Sequence, residues 1–296
     1  CITRQGRPLQ SASKSQFLDI NGLRHHIRTW GDPRSRHLYL LHGWMDMSAS
    51  FKFTVNELSK DWFIIAPDWR GFGLSDWASE GYWFPDYVAD LSGIINAFSP
   101  DAHINLVGHS MGGNIAGLYT GVYPERVQKL ILAEGFGMPP LDASEAPNRL
   151  KIWLEQKKTP PSLKPYNSLE EVAQRLIKNT PALTEHRALF LAEHWSEKQS
   201  NGKFTLRADP KHKMINPILY RSAEASFFWK RISCPTLWLH SDSGWLRRFM
   251  KDDYATIDEY RSNYPNLIEK TITESSHMMH HVQPKKFALA IESFIN

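Results

Sequence analysis

The sequence predicts an α/β protein built on a doubly wound, mostly parallel sheet that carries a helical insertion. Three observations predict it. Short apolar runs alternate with amphipathic helical stretches along most of the chain. One such run, His103-Ile104-Asn105-Leu106-Val107, meets a helix-like run from Asn114 to Val122 through the sharp stretch Gly108-His109-Ser110-Met111-Gly112-Gly113. The alternation lapses between about Met138 and Trp229, where helical pieces occur with no convincing central strand.

Taken in order, Phe17 to Trp30 reads as a hairpin, because Asn21-Gly22 is a two-residue turn signal between two strand-like runs. His37 to Leu41 is a short apolar strand that ends in His42-Gly43-Trp44. Phe51 to Ser59 has helical spacing, and Trp62 to Ala66 is a buried strand running into Pro67-Asp68-Trp69-Arg70-Gly71. From Tyr87 to Phe98 the apolar residues Val88, Leu91, Ile94, Ile95 and Phe98 share one helical face. After the Ser110 turn, Val127 to Ala133 is the next strand, followed by Glu134-Gly135. The insertion offers helices over Asn148 to Lys157, Leu169 to Lys178, Glu185 to Glu197 and Asn216 to Trp229. Strands at Thr236 to His240 and Leu267 to Thr273, with a last helix from Pro284 to Phe294, complete the alternation. The expected organisation is a tail over 1–16, a core over 17–137 and 230–296, and a helical cap over 138–229.

A chain of 296 residues with 42% hydrophobic and 12% aromatic residues can bury a substantial core. The net charge is +4, but basic pairs such as Lys157-Lys158 and Arg247-Arg248 are scattered among acids, which argues against a nucleic-acid partner. No run approaches the ~20 apolar residues of a membrane span, so no membrane partner is expected. The basic, Ser-rich start from Cys1 to Gln16 has no apolar signal-peptide core, and Cys1 and Cys234 are the only cysteines. A cytoplasmic location is the resulting expectation. Cys234, before Pro235 at the mouth of an apolar strand, reads as a buried inert thiol.

The chemistry-bearing residues gather where the strands end. His42-Gly43, Asp68 and Arg70, Ser110, Glu134, Asp242 and His277 each follow a predicted strand closely, and in doubly wound sheets that edge is where ligands bind. Gly108-x-Ser110-x-Gly112 between strand and helix is the spacing of a nucleophile elbow. A serine on such a turn projects from both elements, and side chains two residues away would collide there.

In this order of motifs (His-Gly, Asp-x-Arg-Gly-x-Gly-x-Ser, Gly-His-Ser-Met-Gly-Gly, insertion, late Asp, late His) the chain resembles the α/β-hydrolase superfamily. Within it, the chain is similar to the capped branch of esterases, carbon–carbon hydrolases, haloalkane dehalogenases and epoxide hydrolases. The resemblance implies an eight-stranded sheet and a catalytic triad. Ser110 would be the nucleophile, and a serine in place of aspartate implies acyl transfer instead of displacement at carbon. His277 would be the base, with Pro284 at the family's His-to-Pro spacing; Ser276 departs from the usual preceding Gly, and His280 and His281 are nearby alternatives. The acid has two candidates. The usual position falls on Gly244, which cannot serve, so Glu134 is preferred and Asp242 is the alternative. The backbone N–H groups of Trp44 and Met111 would form the oxyanion hole.

His42, Gly43 and His109 are candidates for contact with substrate, although His42 also suits a hydrogen-bonding buttress and His109 a packing role. Asp68, Arg70 and Asp76 resemble the family's structural loop. No metal-ligand spacing, phosphate loop or dinucleotide fingerprint occurs, so no cofactor is expected. Trp153, Tyr166, Phe190, Trp195, Phe227, Phe228 and Trp229 make the insertion aromatic. The expectation is a serine hydrolase cleaving an ester with a small or medium hydrophobic part. The alternatives are a carbon–carbon bond hydrolase on the same machinery and a non-catalytic small-molecule binder, the latter suited by Gly244.

Overall fold

The computed structural model describes residues 12–296, so residues 1–11 of the expected tail lie outside it. The main sheet contains β1 (Lys14–Ile20), β2 (Leu23–Trp30), β3 (Arg36–Leu41), β4 (Trp62–Pro67), β5 (Ile104–His109) and β6 (Val127–Ala133). A separate two-stranded ribbon, β7 (Ser196–Lys198) with β8 (Phe204–Leu206), precedes the last two sheet strands, β9 (Thr236–Ser241) and β10 (Leu267–Ile272). The eight-stranded order is β1-β2-β4-β3-β5-β6-β9-β10, antiparallel at β1-β2-β4 and parallel from there on. The first strand begins at Lys14, inside the span expected as tail.

The hairpin turn forms as its residues dictate, with Asn21 and Gly22 both at positive φ (50° and 76°). Strands β4 and β5 are buried along their whole length, as a parallel sheet covered on both faces requires. The covering helices are α1 (Lys52–Glu57), α2 (Phe84–Phe98) and α3 (Met111–Val122), then α4 (Ala146–Lys158), α5 (Leu169–Asn179), α6 (Glu185–Trp195) and α7 (Ser222–Trp229) of the insertion. The C-terminal part adds α8 (Trp245–Phe249), α9 (Tyr254–Ser262), α10 (Met279–Val282) and α11 (Pro284–Ile295). One core lies on each sheet face. Ile115, Ala116 and Tyr119 of α3 join Leu106 and Leu132 on one side, and Phe287 and Ile291 of α11 join Leu38, Ile64 and Val107 on the other.

The insertion has its own apolar cluster. Val172, Ala173, Ala188, Leu191 and Trp195 pack with Met47 and Ala49 from the loop after β3 and with Val282. That contact sets the insertion over the carboxyl ends of the strands. Two expected helices are shorter than their spacing suggests. α6 stops at Trp195, where Ser196 turns into the β7 ribbon. The helix expected from Asn216 begins only at Ser222, because Pro217 interrupts and the Ile215 and Ile218 N–H groups bond side chains of Gln156 and Asn216.

Candidate active site

The elbow is built by close backbone approach. Ser110 sits at φ 50°, ψ −117°, between the last residue of β5 and the first of α3. A Cβ on Gly112 would lie 2.3 Å from the Leu41 carbonyl oxygen, so the turn can abut β3 only with glycine there. Gly43 does the same from the opposite side: its absent Cβ would be 3.1 Å from Ser110 Cβ. The turn carrying the Trp44 N–H is thereby pressed onto the serine. The Met111 N–H opens α3 and belongs to the first turn, whose donors have no intrahelical acceptor and whose helix end is electropositive.

Glu134 follows β6 in the left-handed region, at φ 53°, and only 2% of its surface is exposed. Its N–H donates to Leu239 O at 2.9 Å, and its Oε1 accepts the Ser241 N–H at 2.5 Å. Its Oε2 is 3.9 Å from Nδ1 of His277, and neither of those two buried atoms has a hydrogen-bond partner among the described residues. A non-glycine residue held at positive φ, with one carboxylate oxygen anchored and the other bare toward an imidazole, is a costly local arrangement of the kind found at functional sites.

The two acid candidates stand in different surroundings. Asp242 is exposed, and its oxygens accept the N–H groups of Glu274 (2.7 Å) and Ser275 (3.0 Å). These bonds, the Ser275 one foremost, lower its pKa. Asp242 thereby braces the loop that leads to His277. Gly244, at the family's usual acid position, instead opens α8 at φ 67°. That helix carries Trp245, whose ring stacks on His277 at 3.7 Å and 22°. Sequence reasoning did not single out Trp245; an aromatic directly after the vacant acid position was the available signal.

Behind His277 lies a buried histidine cluster. His109 Nε2–H donates to the backbone carbonyl of His277 at 2.7 Å, joining the residue before Ser110 to one 168 positions later. Its ring is 4.8 Å from that of His277 and 4.4 Å from that of His280. Burial holds the His109 pKa well below its ordinary value. His280 Nε2–H donates to Asp46 Oδ2 at 3.0 Å, and burial pushes the His280 pKa down to about 4. Burial alone would raise Asp46, but the hydrogen bond from His280 and the His281 ring 3.7 Å away hold its carboxyl well below the usual range. Asp46, His109 and His280 are the residues with metal-ligand chemistry that gather among the described residues, their donor atoms within 4.8 Å. The Nε2–H groups of both histidines are already given to oxygens of the protein, and the cluster reads as an internal brace.

None of the three candidates for substrate contact is among the residues lining the cavity that holds Ser110 and His277. His42 is buried; its Nδ1–H donates to Gly43 O (2.7 Å) and its Nε2 accepts the Trp69 N–H (2.9 Å), so it buttresses the His-Gly turn. Gly43 and His109 likewise lie behind the cavity wall. Arg70 forms a two-point pair with Asp90 and reaches Asp86, and Asp68 takes His26 and the Ser48 N–H, so both serve the structure of that loop.

Ser110 and His277 line a cavity of about 1170 Å³ together with Trp44, Met111, Trp245 and Phe249. Of the aromatic residues expected to line it, Trp153 does. Tyr166, Phe190 and Trp195 belong to the insertion's own cluster, Trp229 packs under α3, and Phe227 points to solvent. Met214, Ile215, Pro217 and Ile218, from the irregular segment where a helix was expected, form the facing wall.

The model of the alpha/beta hydrolase fold family matches residues 36–284. The chain belongs to the α/β-hydrolase fold family. Among curated relatives, the serine hydrolase-like protein of Danio rerio is 26% identical over 279 residues, spanning 90% of this chain and 84% of that one. Serine hydrolase-like protein 2 of Homo sapiens is 24% identical over 285 residues, spanning 90% and 89%. Among solved structures, the thioesterase domain from the curacin biosynthetic pathway superposes with a TM-score of 0.84 at 22% identity, covering 95% of this chain and 100% of that one. In this α/β-hydrolase the elbow lies within the matched span, as do Gly244, Trp245 and the histidine brace.

Proposed function

We propose that this α/β-hydrolase is a serine hydrolase acting on a carboxylic ester through an acyl-enzyme, with Ser110, His277 and Glu134 as its triad. The observation that carries the reading is the pair of bare, buried atoms, Glu134 Oε2 and His277 Nδ1, facing each other behind a cavity that His277 shares with Ser110. With Nδ1–H directed at the carboxylate, His277 presents Nε2 as a base. Nε2 takes the Ser110 proton as Oγ attacks the ester carbonyl. The oxyanion develops toward the N–H groups of Trp44 and Met111. His277 then protonates the departing alcohol, and activates the water that hydrolyses the acyl-enzyme. The names of the serine hydrolase-like relatives support the same class.

A cavity of about 1170 Å³ exceeds the ~300–1,000 Å³ usual for small-molecule sites, and its walls are mostly aromatic and aliphatic. It supports a bulky hydrophobic acyl or alcohol part, larger than the small or medium group expected from the sequence. The test is turnover of p-nitrophenyl esters of increasing acyl length by the wild type and Ser110→Ala, with fluorophosphonate labelling alongside. Turnover and labelling are expected to vanish together in Ser110→Ala. A wild type that neither turns over an ester nor takes the label removes the proposal and leaves a non-catalytic binder.

A further inference from the structure

Helix α4 is unlike the other long helices of the molecule in that none of its thirteen residues is buried. A helix of this length inside a globular protein is ordinarily stabilised by burying an apolar face. Here the tethers are polar: Arg149 donates twice to Asn216 O, and Gln156 Oε1 accepts the Ile215 N–H. Trp153 and Lys157 look into the large cavity. On the flank beside them, Leu150 and Leu154 are one turn apart and 47% and 49% exposed. The segment tethered to α4 carries Ile218, which is 57% exposed, and Trp83, which lines the same cavity, is 56% exposed. Exposed apolar side chains thus stand on the cavity lining (Trp83, Ile218) and on the helix beside it (Leu150, Leu154).

The charge of the same helix is one-sided. Arg149, Lys151, Lys157 and Lys158 stand against the single acid Glu155. Lys151 and Lys158 form no ion pair among the described residues. On the helical wheel these two lysines lie just beyond Leu150 and Leu154, on the side away from the cavity. Leucines edged by lysines, next to an indole, is the pattern of a helix that rests in the headgroup region of a lipid surface. A protein partner would demand shape complementarity, whereas lipid requires this amphipathic order and positive charge.

We propose that the rim formed by α4, Trp83 and Ile218 docks on an anionic phospholipid surface, with the mouth of the cavity facing the lipid. Among the described residues no helix is long and apolar enough to cross a membrane, and surface docking needs none. The cavity walls then continue the apolar phase of the lipid. A hydrophobic molecule passes from one to the other without crossing water. The docking is a property of the surface and is independent of the hydrolysis proposed above.

The test uses the full chain and sedimentation with vesicles of phosphatidylcholine alone or mixed with phosphatidylserine. Wild type is expected to pellet with the mixed vesicles at low salt and to be released at high salt. Lys151→Glu/Lys158→Glu is expected to weaken binding by roughly fivefold or more per charge. Leu150→Asp/Leu154→Asp is expected to abolish it, while Ile268→Asp, an equally exposed apolar residue on β10, leaves it intact. Circular dichroism and melting confirm that each variant is folded. The proposal is overturned if wild type stays in solution with mixed vesicles at low salt, or if the α4 variants pellet like wild type. It is also overturned if the leucine substitutions convert a dimer into a monomer, since a second copy of the chain is then the occupant.

Discussion

Replacing Glu134 by Gln keeps the shape of the side chain and removes its charge, and the structure dictates how the amide will sit. The Ser241 N–H, 2.5 Å from Oε1, is a fixed donor and selects the amide oxygen as its partner. The amide NH₂ then takes the place of Oε2, facing His277 Nδ1. A donor in that position requires Nδ1 to accept, which moves the imidazole proton to Nε2. The base atom is lost, and no anion remains to stabilise the imidazolium. Changing a triad acid to its amide in this way lowers kcat by about 10⁴, and we expect a fall of roughly 10³–10⁴ in kcat, or about 4–5.5 kcal/mol, with KM little changed. The assay is steady-state hydrolysis of the best p-nitrophenyl ester, with the rate of fluorophosphonate labelling as a second readout. Asp242→Asn is the comparison. It weakens two loop-bracing hydrogen bonds on the surface, so its kcat is expected to stay within about tenfold of wild type while Tm falls by at most about 2–4 °C. If folded Glu134→Gln keeps more than a tenth of wild-type kcat, or if Asp242→Asn is the variant that abolishes turnover, the assignment of the acid is wrong.

Three further outcomes follow from the same geometry. His109→Leu removes the donor to the His277 carbonyl and is expected to lower kcat by about 10–100-fold at similar KM; His109→Gln, which can still donate, should recover part of that, and equal loss in both variants would exclude positioning through this bond. Trp245→Ala deletes the ring stacked on His277, so kcat/KM should fall by roughly tenfold, measured with a short acyl ester that does not reach Phe249; an unchanged value refutes the role. Acid will unfold the protein early. His280 has its folded pKa pushed from 6.5 down to about 4, and burial lowers His109 in the same direction, so between those pH values the unfolded chain binds protons that the folded one refuses. Stability is present above pH 6.5 and is lost as pH falls toward about 4, with His280 alone worth on the order of 3 kcal/mol; urea titrations giving the same stability at both ends of this window would contradict it.

The parts of the fold that were legible are those where one physical demand dominates. The strands from Trp62 to Pro67 and from Ile104 to His109 are buried on both faces, and burial of that kind forces a mostly apolar run, broken in the second by Asn105, that can be seen in sequence. The turn at Ser110 was legible because close backbone contact excludes all side chains at Gly108 and Gly112, which leaves a fixed spacing. The wall of the cavity was illegible for the converse reason. Met214 to Ile218 has no period, since the Ile215 and Ile218 N–H groups are satisfied by side chains of Gln156 and Asn216 and not by a ladder. Aromatic content misled at Tyr166, Phe190 and Trp195, because burying a ring between the insertion and the core and exposing it to a ligand leave the same composition. The brace of Asp46, His109 and His280 joins three distant segments, and no local pattern marks it.

The position of β6 in the sheet has a consequence for synthesis. The strand that carries Glu134 pairs with β5 on one side and with β9 on the other. β5 is made before β6, but β9 is separated from β6 by the whole helical insertion. At about 5–20 residues per second, roughly 100 intervening residues take about 5–20 s to translate. During that interval Leu130, Ile131 and Leu132 form the outer edge of a half-finished sheet, with open backbone donors and acceptors and no charge on the strand from Leu130 to Ala133. The newborn chain is most open to misassociation at the same strand end that will later hold the acid behind His277. Chaperone dependence and yield in expression should accordingly respond to substitutions on β6 more than to those on the hairpin strands made first.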